Sequence, residues 1–172
     1  FYIKIKFYLK KNKDNNIFFT DYNFMHNQIP DIKNIHLPHG FLEFQPLIPT
    51  KNIKKFIPEL FNLCDKYKTE STLCALKLHS KDEFLMSYSD DAYSIGIDVP
   101  LKNREIKHIQ EFANLLFELV CKYEGKIYLA KDEMLNKENL YKMYTNTNKF
   151  LKIKNNIDPE NLFSSDLFKR LF

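Results

Sequence analysis

Between Gly40 and Ala130 the spacing of apolar residues switches repeatedly between the period of a strand and that of a helix. Residues 41–48 set Glu43 and Gln45 at alternate positions among apolar ones, a strand that Pro46 interrupts and Pro49 ends. Ile53, Phe56, Ile57, Leu60, Phe61 and Cys64 recur at helical steps, which predicts a helix capped by Thr50 and running to about Lys68. Pro58 lies inside it and should kink or restart it. Residues 73–79 and 93–99 read as two further strands, joined by the polar segment 80–91. Ile106, Ile109, Phe112, Ala113, Leu116 and Val120 predict a helix over 104–123, which Gly125 stops as a residue tolerant of positive φ. Residues 126–130 complete the series as a fourth strand.

The resulting order, βαββαβ, is that of a ferredoxin-like α+β domain: an antiparallel sheet with its helices on one face. It occupies 40–132. Residues 133–172 read as a helical tail, with short helices at 139–144 and 165–171. Ahead of the domain, residues 1–10 alternate as a strand with lysines on one face, 10–16 are turn-like, and 17–19 form a short apolar run. Residues 23–38, with two prolines and two histidines, read as irregular chain wrapping a surface. Residues 1–39 are therefore an N-terminal strand and loop.

Composition narrows the choices. The chain has 172 residues, 44% hydrophobic, with 16 Phe and 10 Tyr, enough to bury a sizeable core. A net charge of +4, spread along the chain, suits an anionic ligand and falls short of a nucleic-acid footprint. Cys64, Cys74 and Cys121 form no C-x-x-C pair and fall in apolar stretches, which predicts buried thiols in a reducing, cytoplasmic setting. His26, His36 and His39 lack metal-ligand spacing, so no metal is expected. Only three glycines occur, and neither G-x-G-x-x-G nor a P-loop is present. A phosphate cradle is not expected in this chain.

Candidate chemistry lies on the polar positions of the strands. Lys77 stands among apolar neighbours, as do Glu43 and Gln45. Each reads first as a solvated residue of a half-buried strand. If helices cover one face of the sheet, the three share the other, and acid, amide and ammonium together suit a hydroxylated ligand. Lys131 follows the fourth strand and reads as a surface lysine, with Asp132 as a possible ion partner. No nucleophile turn supports a hydrolase.

The segment Gly125-Lys126-Ile127-Tyr128-Leu129-Ala130-Lys131-Asp132 resembles the G-x-x-Y-x-x-K-D stretch near the end of FAD-linked oxidases, the group holding the aldonolactone oxidases and the decaprenylphosphoryl-ribose 2-oxidases. The tail is similar too: Met143-Tyr144, Phe150, Ile157-Asp158-Pro159-Glu160-Asn161-Leu162-Phe163-Ser164-Ser165-Asp166-Leu167 and Arg170-Leu171. Gly40–Gln45, the Lys77 strand and residues 93–100 fall in family order.

The resemblance implies the substrate-binding half of a flavoprotein oxidoreductase that takes hydride from a sugar carbinol. Its FAD would be held mainly by an N-terminal domain lying upstream of residue 1, and the isolated piece would be inactive. By the same resemblance Lys131 and Tyr128 reach the flavin, Lys131 and Lys77 are catalytic, and Gln45, Glu43, Lys77 and Ser94 meet the substrate. Ser94 stands where relatives carry an amide, and Gly96 where they carry a cysteine. Partners on this reading are a sugar or lipid-linked sugar and the chain's own FAD domain. Nucleic acid is not among them, and a membrane is approached only through a lipid substrate. The alternative is a ferredoxin-like module that binds nucleic acid or protein without catalysis.

Overall fold

The computed structural model describes residues 18–23, 34, 37–69, 71, 74–101 and 104–172. The strand expected over 1–10 and most of the 23–38 loop lie outside the described residues. Two compact units are present, Phe1–Leu37 and Pro38–Phe172. In the first, Phe19–Asn23 forms a short helix, α1.

The second unit contains β1 (Phe41–Phe44), β2 (Pro46–Pro49), α2 (Ile53–Tyr67), β3 (Cys74–His79), β4 (Ala92–Pro100), α3 (Ile106–Lys122) and β5 (Lys126–Ile127). A 3₁₀ turn, Leu129–Lys131, follows, and then α4 (Lys137–Met143), α5 (Thr147–Ile157) and α6 (Asp166–Leu171). The sheet is antiparallel throughout. β4 pairs with β1, β2 and β3, and β5 pairs with β2. β1 and β2 hold one register against β4, from Phe41 opposite Pro100 to Pro49 opposite Ala92. They are one strand broken at Gln45–Pro46, where proline has no N–H for the ladder. With β1 and β2 merged, the spatial order is β3–β4–β1/β2–β5, the split βαβ arrangement that the sequence predicts.

Alternation divides the sheet into two faces. Leu42, Phe44, Ile48, Ile95, Ile97 and Val99 share one and pack against α2 and α3. α3 contributes Phe112, Ala113, Leu116, Phe117 and Val120, all fully buried, and Phe44 meets Phe112 and Phe117 edge-on at 5.8 and 6.2 Å. The tail joins the same core through Leu135, Leu140, Met143, Tyr144 and Leu171. Tyr144 donates its hydroxyl to the Ile127 carbonyl at 2.8 Å.

Several boundaries differ from expectation. Thr50 does not cap α2. Its hydroxyl donates to the Asp91 carbonyl, and the helix begins after Asn52. α2 continues across Pro58, and within the expected stripes Phe61 and Ile106 face solvent. At the end of α3 the left-handed residue is Glu124, with φ 57°, not Gly125. Gly125 is required for space: a Cβ there would stand 2.6 Å from both the Ile48 side chain and the Leu47 carbonyl. The fourth strand is only two residues long, since the chain turns into the 3₁₀ segment after Tyr128. α5 had no counterpart in the sequence reading. The three cysteines are free thiols, but Cys74 is exposed; Cys64 and Cys121 are half-buried, and burial pushes both thiols up.

Candidate active site

The opposite face of the sheet is largely polar: between the core positions stand Glu43, Gln45, Lys77, His79, Ser94 and Asp98, with Leu47 and Ala92 buried at one end. Gly96 lies among them and carries no side chain, so the floor stays open; a Cβ there would stand 3.4 Å from a Glu43 carboxylate oxygen. Part of this face is walled by the 80–91 loop. Thr50 holds the loop at Asp91 through its amide and its hydroxyl, and Lys126 holds it at the Ser87 carbonyl at 3.2 Å. Gln45, Lys77, His79, Ser87, Tyr88, Ser89, Tyr128 and Lys131 line a cavity of about 330 Å³ between loop, sheet and 3₁₀ turn.

At its floor, Ser94 is fully buried. It accepts from the Gln45 amide at 3.3 Å, and its Oγ is 2.8 Å from His79 Nε2. The Gln45 carbonyl accepts from two donors, the Tyr128 amide at 3.1 Å, which continues the β2–β5 pairing, and the Tyr88 hydroxyl at 3.0 Å. That backbone oxygen therefore joins strand, loop and turn. The Tyr88 and Tyr128 rings lie 4.7 Å apart, and His79 meets Tyr88 edge-on at 5.6 Å, so one wall of the cavity is aromatic. Burial pushes the Tyr88 phenol well above its usual range, which keeps it a neutral donor.

Lys131 stands at the end of the 3₁₀ turn and pairs with Glu43 at 2.5 Å. Its neighbour Asp132 takes a different partner. The Asp132 carboxylate is fully buried, accepts from the Leu135 amide, and is gripped by both Arg170 guanidinium nitrogens at 3.0 and 3.1 Å. Arg170 also donates to the Asp132 and Leu135 carbonyls, so the turn carrying Lys131 is fastened from α6.

The structure thus places Gln45, Lys77, Tyr128 and Lys131 around one cavity, Ser94 beneath Gln45, and Glu43 behind Lys131. Sequence reasoning missed His79 and Tyr88. His79 had a signal, standing two residues after Lys77 on the same strand face. Tyr88 had none, since its place depends on how the 80–91 loop folds back.

Residues 35–171 match the D-arabinono-1,4-lactone oxidase family. The chain belongs to it. It is also similar to the decaprenylphosphoryl-beta-D-ribose oxidase of Mycolicibacterium smegmatis, with 26% identity over 133 residues. That match covers 77% of this chain and 28% of the relative, so the chain spans well under half of that protein's length. The family is one of FAD-linked oxidoreductases. The cavity's residues suit the redox end of such a cofactor: two ammonium groups, an amide and paired phenol rings can address a polar aromatic edge or a sugar. A pyrophosphate needs successive backbone N–H groups at a glycine-rich turn, and the described residues offer none.

Proposed function

We propose that this domain forms the substrate-facing wall of an FAD-dependent oxidoreductase that oxidises a sugar carbinol, with the FAD phosphates held by chain outside these residues. The observation that carries the reading is the convergence of Gln45, Lys77, Tyr128 and Lys131, from three separate segments, on one cavity. A bound FAD would supply the acceptor for the carbinol hydride.

The residues of this chain bind and orient the substrate. Lys77 and the Gln45 amide donate to substrate hydroxyls, and the tyrosine pair offers an apolar surface to the sugar ring. Lys131 places positive charge at the cavity rim. Glu43 holds it there and offsets part of that charge, so the field felt in the cavity is weaker than a lone ammonium would give. Preorganised donors of this kind contribute a few kcal/mol to a barrier, on the order of 10²–10³ in rate for one well-placed donor.

The test is anaerobic mixing of the FAD-loaded protein carrying this domain with free pentoses, aldonolactone precursors and a lipid-linked pentose in parallel. Bleaching of the oxidised flavin by one of them is expected, with Lys131→Ala slowing it while leaving the fold intact. Failure of every sugar to bleach the flavin overturns the assignment. Unaltered bleaching in Lys131→Ala removes Lys131 from the site.

A further inference from the structure

Oxidation of a carbinol removes a proton from oxygen as well as a hydride from carbon, and the lysines assigned to the site are poor destinations for that proton. Lys131 is an ammonium engaged with Glu43. Lys77 in its ammonium form is a donor without an acceptor. Tyr88 is a neutral phenol that donates to the Gln45 carbonyl. His79 is different. Its ring is half-buried, lines the cavity beside Lys77, and is held on two sides, by Ser94 Oγ at 2.8 Å from Nε2 and by the edge-on Tyr88 ring at 5.6 Å. Among the described residues Nδ1 has no protein partner. In an imidazole the bond made by one nitrogen sets the role of the other. With Nε2–H donating to the buried Ser94, Nδ1 carries the lone pair.

We propose that His79 is a further catalytic residue of this site, the base that accepts the carbinol proton. This rests on reading the polar face as a carbinol site. The O–H bond breaks and its proton passes to Nδ1, giving an imidazolium. The C–H bond breaks with its electron pair, and the hydride leaves for the oxidised flavin, which is thereby reduced. The carbinol becomes a carbonyl, and the imidazolium later returns the proton to solvent. Ser94 is a positioning residue, because its Oγ lies 2.8 Å from Nε2 and, where Nε2–H donates to it, leaves the lone pair on Nδ1. The titratable and charged groups facing the ring are Lys77 on its own strand, Tyr88 from the loop, Tyr128 and Lys131 from the turn, and Glu43 from β1 through Lys131.

Two measurements test it. In the FAD-loaded protein, His79→Gln is expected to lower the limiting rate of flavin reduction about 10²-fold or more, the low end of what general-base catalysis supplies, and to abolish the fall in rate on the acid side. Ser94→Ala should shift that acid limb without removing it. In the 172-residue chain, ring-nitrogen NMR of His79 is expected to show the Nε2–H tautomer, with Nδ1 shifting on addition of an aldonolactone. If the wild type reduces its flavin with sugar and His79→Gln keeps both rate and pH profile, His79 is not the base and the carbinol reading stands. A ring found in the Nδ1–H tautomer, or unmoved by a sugar that shifts Lys77 and Gln45, also overturns it. If no sugar reduces the wild-type flavin, the carbinol reading fails and this assignment falls with it.

Discussion

Phe44, Ile95 and Ile97 alternate with Glu43, Gln45, Ser94 and Gly96 on the same two strands, yet the two sets live in different chemistry. The first set lies under α2 and α3 in a continuous apolar core. The second lies under a loop and a 3₁₀ turn, where the buried polar atoms are satisfied by one another: Gln45 by Ser94, Ser94 by His79, and the Gln45 carbonyl by two tyrosines' residues. Both faces are ordered, but by different means. Non-directional burial stabilises the helix face, while the other is held by hydrogen bonds whose loss is local. One face sets whether the chain folds, and the other carries the proposed site.

Substitutions on each face put that contrast to the test. Phe112→Ala, in the centre of the core, should cost about 3–5 kcal/mol in denaturant unfolding, because the ring is fully buried among aromatic neighbours. A cost under about 1 kcal/mol would show that the helix face does not dominate stability. Gly125→Ala should cost about 1–3 kcal/mol, since the new methyl must displace Ile48 and the Leu47 carbonyl. Ser94→Ala comes next, at about 1–2 kcal/mol, from leaving Gln45 and His79 short of a partner in a buried position. Lys77→Met on the polar face should change stability by no more than about 0.5 kcal/mol while weakening sugar binding measured by calorimetry, since Lys77 is exposed. Equal losses from Lys77→Met and Phe112→Ala would erase the distinction between the faces.

The smallest effect in extent lies away from both. Lys154 and the amides of Phe163 and Leu162 hold the Asp158 carboxyl below the usual carboxylate range. The folded chain thus keeps this charge to lower pH than the unfolded one. The stabilisation is complete above the ordinary carboxylate range and is lost as pH falls through the depressed value. The protection of the Leu162 and Phe163 amides relative to the free-chain exchange rate should fall only in that acid window, and a loss of protection near neutrality would contradict it.

The elements that were legible in the sequence are those whose periodicity is set by one face. α3 shows its stripe because Ile109, Phe112, Leu116 and Val120 all turn inward, and the β1/β2 strand shows Glu43 and Gln45 because they alternate with Leu42 and Phe44. α5 escaped although Phe150, Ile153 and Ile157 recur at helical steps; Thr147 is its only buried residue. The start of α2 was misplaced because Thr50 finds a partner in Asp91, forty-one positions along, which local capping rules do not see. The same limit applies to the site. Lys77 and Gln45 announce themselves by interrupting apolar runs, and Lys131 enters only through resemblance. The bond between Lys131 and Glu43 spans 88 residues, and that between Arg170 and Asp132 spans 38, so neither exists until the sheet and tail are assembled.

The doubly engaged carbonyl of Gln45 has a consequence for how such a site can diversify. The junction of strand, loop and turn is made by the main-chain oxygen of residue 45, an atom that every amino acid possesses. The side chain at that position adds one bond of its own, to Ser94. A substitution there forfeits the Ser94 bond but leaves the junction of strand, loop and turn in place.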